Sequence, residues 1–246
     1  VPSGYTNRIQ DMVGSFAYIG VTFFFMTSAY GLMLNNIKNP QSIKHFWKNR
    51  LIKLFLPMIL INVLFFIITF IDSGQLSISR LLSVNNWVAQ LLLFYVAFYI
   101  VFRFIKLGTT AKVVIVSGFI VAFSIVAYFF AEHLYFSWAV ESFGFVYGMI
   151  LALQKEKIYT LLSKKFILKL LSLSGLSAVF GVAYLKFKDV FFLGGYLLRT
   201  FLGIFILLLI LTINTRLSFS NPVSLLLGSI SYEVYLIHAF VFDMLI

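Results

Sequence analysis

The chain has 246 residues, of which 61% are hydrophobic and only 11% are charged, against about 25% charged residues in a soluble domain. This composition excludes an ordinary soluble protein and predicts an integral membrane protein. The formal net charge is +11, yet the basic residues lie mostly between apolar runs, which favours a lipid bilayer rather than a nucleic acid as their partner.

Eight apolar runs are long enough, or nearly so, to cross a bilayer as helices, which takes about 20 residues each. We therefore predict an all-α, polytopic helix bundle that forms one transmembrane domain over residues 1–246. Repeated Gly and Ser within the runs are typical of helices that pack closely in lipid. The runs span residues 13–34, 54–71, 87–105, 112–131, 136–153, 166–185, 190–213 and 223–246.

The Lys and Arg residues around these runs indicate the topology. Fourteen follow the first, third, fifth and seventh runs, and four lie in the other gaps. Because basic loops stay in the cytoplasm, the larger set is cytoplasmic and Val1 lies outside. An external amino terminus without a signal peptide predicts a missing helix upstream, and the apolar end at Ile246 predicts a truncation there as well.

The first run contains the segment Gly20–Gly31, GVTFFFMTSAYG, whose small residues permit close helix packing. Ser28 within this segment has two candidate partners, a bound substrate or the backbone of its own helix. The sequence leaves both open.

The segment from Ile43 to Pro57 is basic and amphipathic. Its charged residues, Lys48, Arg50 and Lys53 among them, alternate with apolar ones, and at helical spacing this pattern predicts an interfacial helix. The charges either anchor the chain at the cytoplasmic surface or bind a polyphosphate there, since Arg and Lys recognise phosphate well.

Arg199 and Glu233 are charges inside apolar runs. They reach similar depths from opposite sides, with Glu233 about 15 Å along its run at ~1.5 Å per residue. Because a charge in lipid needs a partner, we predict that the two pair, either as a link between helices or along a substrate path. Glu141, near the outer end of its run, is expected to reach the interface.

The last run carries Ser231, Tyr235 and His238 at spacing i, i+4, i+7, which places them on one helical face. Their hydroxyls and imidazole form a candidate polar track, in which His238 either assists catalysis or is a packed, hydrogen-bonded residue. The other histidines, His45 and His133, lie far away in the sequence and there is no cysteine, so we expect no metal site.

Three segments in this order resemble the integral-membrane acyltransferase 3 family: GVTFFFMTSAYGLML from Gly20, FWKNRLIKLFLP from Phe46 and LGSISYEVYLIHAF from Leu227. The resemblance implies a bundle of about ten helices, about eight of them present here. It also implies transfer of an acyl group, commonly acetyl, from cytoplasmic acyl-CoA to a hydroxyl of a cell-envelope polysaccharide or lipid-linked sugar. Acyl-CoA is then a co-substrate, no permanently bound cofactor is implied, and the location is a bacterial plasma membrane.

The resemblance also assigns residues. Arg50 and Lys53 match the basic pair proposed to meet the CoA phosphates, and Lys48 of the same segment is predicted to bind acyl-CoA with them. Ser28 matches the serine of a family Ser-Gly-Phe motif, and the polar residues of the last run match the late family motif. Lys53 stands where the family usually has Arg, so a two-pronged phosphate contact becomes a point charge.

The proposed catalytic histidine of the family lies in a first helix, and this chain begins after that helix. The resemblance therefore implies that the main base lies upstream of Val1, that His238 assists at most, and that this fragment is inactive alone. A transporter or polysaccharide-export subunit, with Arg199, Glu233 and His238 along a proton or substrate path, is the alternative from another class. A non-catalytic partner in a biosynthetic complex is a third.

Overall fold

The structure is a computed structural model that describes residues 14–73, 86–130 and 137–217, and 221–222, 226, 228, 230–234 and 236–237 in the last segment. Every element within these residues is helical. The α-helices are α1 (Tyr18–Lys38), α2 (Phe46–Ser73), α3 (Asn86–Phe104), α4 (Thr109–Phe130), α5 (Ser137–Glu141), α6 (Phe143–Leu153), α7 (Lys155–Ser163), α8 (Phe166–Phe187) and α9 (Arg199–Asn214). A 3-10 helix (Pro40–His45) precedes α2, and a π-helix (Leu193–Leu198) precedes α9.

Five helical stretches in the described residues are long and apolar enough to cross a membrane: Phe46–Ile71, Trp87–Phe104, Thr109–Phe130, Phe166–Phe187 and Leu193–Asn214. These stretches correspond to five of the eight predicted runs, and they confirm a polytopic, all-α membrane protein. The run predicted over 136–153 is divided into α5 and α6, of which Ala139–Leu153 is a shorter apolar stretch. Most of the run over 223–246 lies outside the described residues, so the count of eight spans stays a prediction.

The basic segment that was predicted to lie at the interface is continuous with the span after it. Helix α2 runs from Phe46 to Ser73 with Pro57 inside it. Proline is tolerated in membrane helices because neighbouring groups satisfy the carbonyl that it leaves unpaired. The charged turns are therefore the first turns of a membrane-length helix.

Helices α1 and α6 pack closely because α6 presents two glycines to α1. A Cβ atom at Gly144 would overlap the carbonyl oxygen of Thr22, and one at Gly148 would overlap that of Met26. The two glycines are four residues apart and so lie on one side of α6, as in other close helix pairs in membranes. Around them Phe25 is fully buried, and its ring meets Phe94 of α3 edge-on at 5.9 Å.

The turn between α8 and α9 holds the irregular backbone of this region. Phe192 has a positive φ of 52°, and its N–H donates to the Tyr128 hydroxyl at 2.9 Å. Gly194, at the start of the π-helix, lies so close to the Phe187 carbonyl that a Cβ atom would overlap it. Regular helix therefore resumes only just before Arg199.

The described residues form two compact units. The first comprises residues 1–40 and 94–217, and the second comprises 41–93 and 218–246. The boundary falls within α3, whose residues 86–93 belong to the second unit and 94–104 to the first. The first unit contains the α1–α6 and α8–α9 pairs. The second contains α2, where the Tyr232 hydroxyl donates to the Leu54 carbonyl at 2.7 Å. The single domain expected over 1–246 stays a prediction.

Candidate functional site: a buried ion pair and a basic helix start

The first unit encloses an ion pair between Glu141, the last residue of α5, and Arg199, the first residue of α9. The Arg199 Nη2 donates to Glu141 Oε1. The Glu141 side chain is fully buried, and that of Arg199 is 15% exposed. The prediction that Arg199 pairs with Glu233 is therefore wrong, and so is the expectation that Glu141 reaches the interface.

Tyr18 of α1 completes this cluster. The Arg199 guanidinium lies over its ring at 4.2 Å from the ring centre, within the distance at which a cation is attracted to an aromatic face. The Tyr18 hydroxyl donates to the Arg199 backbone carbonyl at 3.3 Å. The Tyr184 ring meets Tyr18 edge-on at 5.7 Å. Residues of α1 and α5 thus contact the guanidinium, and Tyr184 of α8 packs against the Tyr18 ring.

The ion pair leaves two polar atoms unsatisfied. Glu141 Oε2 and Arg199 Nε are buried and have no hydrogen-bond partner among the described residues. One is an acceptor and the other a donor, so each costs free energy unless a further group, such as a water or a substrate hydroxyl, bonds to it. The charge of the pair is balanced, but its hydrogen bonding is incomplete.

The start of the helix that carries Arg199 explains why the sequence indicated the wrong partner. The predicted run began at residue 190, but the turn shifts the helical start to Leu193. Both Arg199 and Glu141 belong to runs that are predicted to enter from the outer side, so a pair between them agrees with the predicted topology. Gly194 and Gly195, which lie in the π-helix just before Arg199, were the available signal.

Ser28 of α1 hydrogen-bonds the Tyr95 hydroxyl of α3. The sequence had left two partners open for Ser28, a substrate or the backbone of its own helix. Neither is this contact between two helices. The Ser28 side chain is half-buried. Its position in the first unit links α1 to α3 close to the Phe25–Phe94 contact.

The basic residues of α2 lie on different sides of the helix. At about 100° per residue, Arg50 and Lys53 lie about 60° apart, whereas Lys48 lies about 160° from Arg50. Arg50 is half-buried, and Lys48 and Lys53 are exposed. Arg50 and Lys53 form one basic face, and Lys48, predicted with them, projects from another side.

The last segment is described only in part. Ser231 is exposed, and its hydroxyl donates to the Gly228 carbonyl at 2.9 Å. Glu233 is half-buried, and its Oε2 has no hydrogen-bond partner among the described residues. Tyr235 and His238 lie outside the described residues, so the polar track stays a prediction.

The family of the chain follows from comparison with known proteins. The model of the acyltransferase 3 family, described as an acyltransferase domain, matches residues 2–246. The chain belongs to this acyltransferase family. No curated protein and no solved structure matches the chain. The family assignment, which the three sequence segments had indicated, is thereby confirmed, and the membrane-length helices place this acyltransferase among membrane proteins.

Proposed function

We propose that this acyltransferase moves an acyl group, acetyl in the first instance, from cytoplasmic acyl-CoA to a hydroxyl of a cell-envelope polysaccharide or its lipid-linked precursor. The plasma membrane of a bacterium is the proposed location. The observation that carries the proposal is the family match over residues 2–246 of a chain whose described residues include five membrane-length helices. The proposed donor is soluble in the cytoplasm and the proposed acceptor lies in the cell envelope, so the enzyme has to span the membrane between them.

The reaction breaks the C–S bond of the thioester and forms a C–O ester bond. The acceptor hydroxyl gives up its proton, and the departing CoA leaves as the thiol after taking up a proton. Such a reaction needs a base for the hydroxyl and donors for the tetrahedral oxyanion. Of the residues in this chain, His238 is the one that the resemblance gives an assisting role in this proton transfer.

The basic face of α2 is the proposed donor site. Arg50 and Lys53 lie on one side at the start of a membrane-spanning helix, where a soluble, polyanionic donor meets the bilayer. Charge-assisted bonds from Arg and Lys to phosphate are among the stronger polar contacts in proteins. Lys48 projects from another side and supplies a matched control.

Ser28, Ser231, Tyr235, Glu233 and Arg199 stay the proposed contacts of the acceptor path, as the resemblance and the intramembrane charges suggest. Within the first unit, Glu141 joins Arg199 in this role, because their two unsatisfied atoms offer one donor and one acceptor. A sugar hydroxyl both donates and accepts, so it is chemically suited to such a pair.

O-acyl analysis of the cell envelope tests the proposal. Deleting the full-length gene should remove ester-linked acetyl from one glycan, and the wild-type gene should restore it. An Arg50→Ala allele should restore little, whereas a Lys48→Ala allele expressed at the same level should restore most of it. Unchanged O-acetylation in the deletion strain would contradict the proposed function.

A further inference from the structure

A groove of about 490 Å³ lies at the basic end of the α8–α9 pair. Lys165, Phe166, Ile167, Leu168 and Arg216 line it. Its volume falls in the range of about 300–1,000 Å³ that is usual for small-ligand sites. It belongs entirely to the first unit, and neither the basic face of α2 nor the buried ion pair contributes to it.

Positive charge accumulates in this groove. Lys165 immediately precedes α8 and has a left-handed backbone conformation (φ 51°) that is uncommon for a residue with a side chain. A cation at a helix amino terminus faces the positive end of the helix dipole, which is unfavourable. Arg216 adds a second cation, and within the described residues neither forms a salt bridge with a carboxylate.

The start of α8 also offers hydrogen-bond donors. The first amide N–H groups of a helix have no acceptor within it, and Lys165 makes no side-chain capping bond. The Arg216 guanidinium is held over the Phe166 ring at 5.7 Å from the ring centre. Two cations and unpaired N–H groups at one place are the arrangement that binds a phosphate.

The remaining wall of the groove is apolar and faces outward. Ile167 is 70% exposed and Leu168 is 62% exposed. They begin a membrane-length stretch, Phe166–Phe187, in which Gly181 and Tyr184 are buried and the other residues are exposed or half-buried. The groove therefore combines a cationic head with an apolar wall that continues along the helix into the bilayer.

We propose that this groove binds the headgroup of an anionic phospholipid, with its phosphate between Lys165 and Arg216 and one acyl chain along Ile167 and Leu168. Basic pockets between membrane helices on the cytoplasmic side are suited to such headgroups. A soluble phosphate would use the cations but not the exposed apolar wall. The lipid satisfies both, and it neutralises the charge at the start of α8.

Native mass spectrometry of the full-length protein in detergent tests this site with dioleoylphosphatidylglycerol as the probe and dioleoylphosphatidylcholine as the neutral comparison. The wild type should bind phosphatidylglycerol preferentially. The Lys165→Ala/Arg216→Ala double variant should lose affinity on the order of 30-fold for its tightest lipid, given two basic contacts. Lys186→Ala/Lys188→Ala, with the same charge loss near the other end of α8, should bind nearly as the wild type does.

Three results would overturn the proposal. Equal losses in the two double variants would show a general effect of charge. Competition by glycerol phosphate as effective as that by the lipid would show a soluble-anion site. Loss of acetyl-CoA binding by the Lys165→Ala/Arg216→Ala variant, with its phosphatidylglycerol binding intact, would assign the groove to the acyl donor. If the first double variant does not fold, the wild type still decides, because phosphatidylglycerol and not phosphatidylcholine should raise its melting temperature.

Discussion

Two arginines of this chain occupy opposite environments. Arg199 lies in the interior of the first unit, where Glu141 and the Tyr18 ring contact its guanidinium. Arg50 lies half-buried near the start of α2, on the same side of the helix as the exposed Lys53. Arg199 has a carboxylate partner in the interior, and Arg50 shares a helix face with the exposed Lys53.

The difference follows from the cost of an unpaired charge in each place. Inside a helix bundle in lipid, a cation without a partner costs several kcal/mol, so the fold supplies a carboxylate and an aromatic face. At the membrane boundary, where the start of α2 is predicted to lie, water and headgroups lower that cost, and the exposed Lys53 can meet an external anion. The interior pair should therefore govern stability, and the boundary pair should govern binding.

The largest expected effect comes from removing the carboxylate of the interior pair. Glu141→Ala leaves Arg199 buried without its counter-ion and should lower the free energy of unfolding by about 3–5 kcal/mol. The loss of stability is measured by thermal unfolding of the full-length protein in detergent, with size-exclusion chromatography used to quantify the protein that stays folded at each temperature. The Glu141→Met/Arg199→Met variant is the control and should recover most of the loss. A single variant as stable as the wild type would show that the ion pair has no structural role.

The aromatic face should contribute less. Tyr18→Leu removes both the ring under the guanidinium and the hydroxyl, and should cost about 1–3 kcal/mol, the sum of a cation–π contact and one hydrogen bond. Tyr18→Phe keeps the ring and should cost about 0.5–1.5 kcal/mol. The same unfolding measurement compares them. Equal losses in the two variants would mean that the ring does not hold Arg199.

The contact between Ser28 and Tyr95 separates a structural from a substrate role. Ser28→Ala and Tyr95→Phe each break this hydrogen bond, and each should cost about 1 kcal/mol of stability. If Ser28 also contacts substrate, as proposed, its variant should lose more acyl transfer than the Tyr95 variant does. Equal activities at equal amounts of folded protein would remove Ser28 from the proposed acceptor path.

The smallest expected effect on stability is at the boundary. Lys53→Ala should change the free energy of unfolding by no more than about 0.5 kcal/mol, as for other exposed side chains. Its acetyl-CoA affinity should nevertheless fall, and Lys53→Arg should preserve that affinity or raise it, because Arg meets phosphate with two donors. Unfolding and acetyl-CoA titration of the same preparations measure the two quantities. A marked loss of stability would mean that Lys53 is part of the fold.

The all-helical membrane fold and the family could be read from the sequence because long apolar runs and ordered motifs carry that information locally. The partner of Arg199 could not. Glu141 lies 58 residues away in the sequence, and apolar periodicity does not indicate the irregular backbone before Arg199, where Gly194 lies against the Phe187 carbonyl. Helix periodicity explains why Arg50 and Lys53 share a face. Lys48 was grouped with them only because it belongs to the same basic segment.

Acyl transfer from radiolabelled acetyl-CoA to envelope glycan, in membranes that contain equal amounts of full-length protein, tests the central claim most directly. With donor below saturation, Arg50→Ala/Lys53→Ala should reduce transfer by at least tenfold, since each charged hydrogen bond contributes about 1.5–3 kcal/mol. Lys48→Ala should stay within about twofold of the wild type, because an exposed side chain away from the site has little effect. Wild-type transfer by the double variant, or an equal loss in the Lys48 variant, would contradict the account.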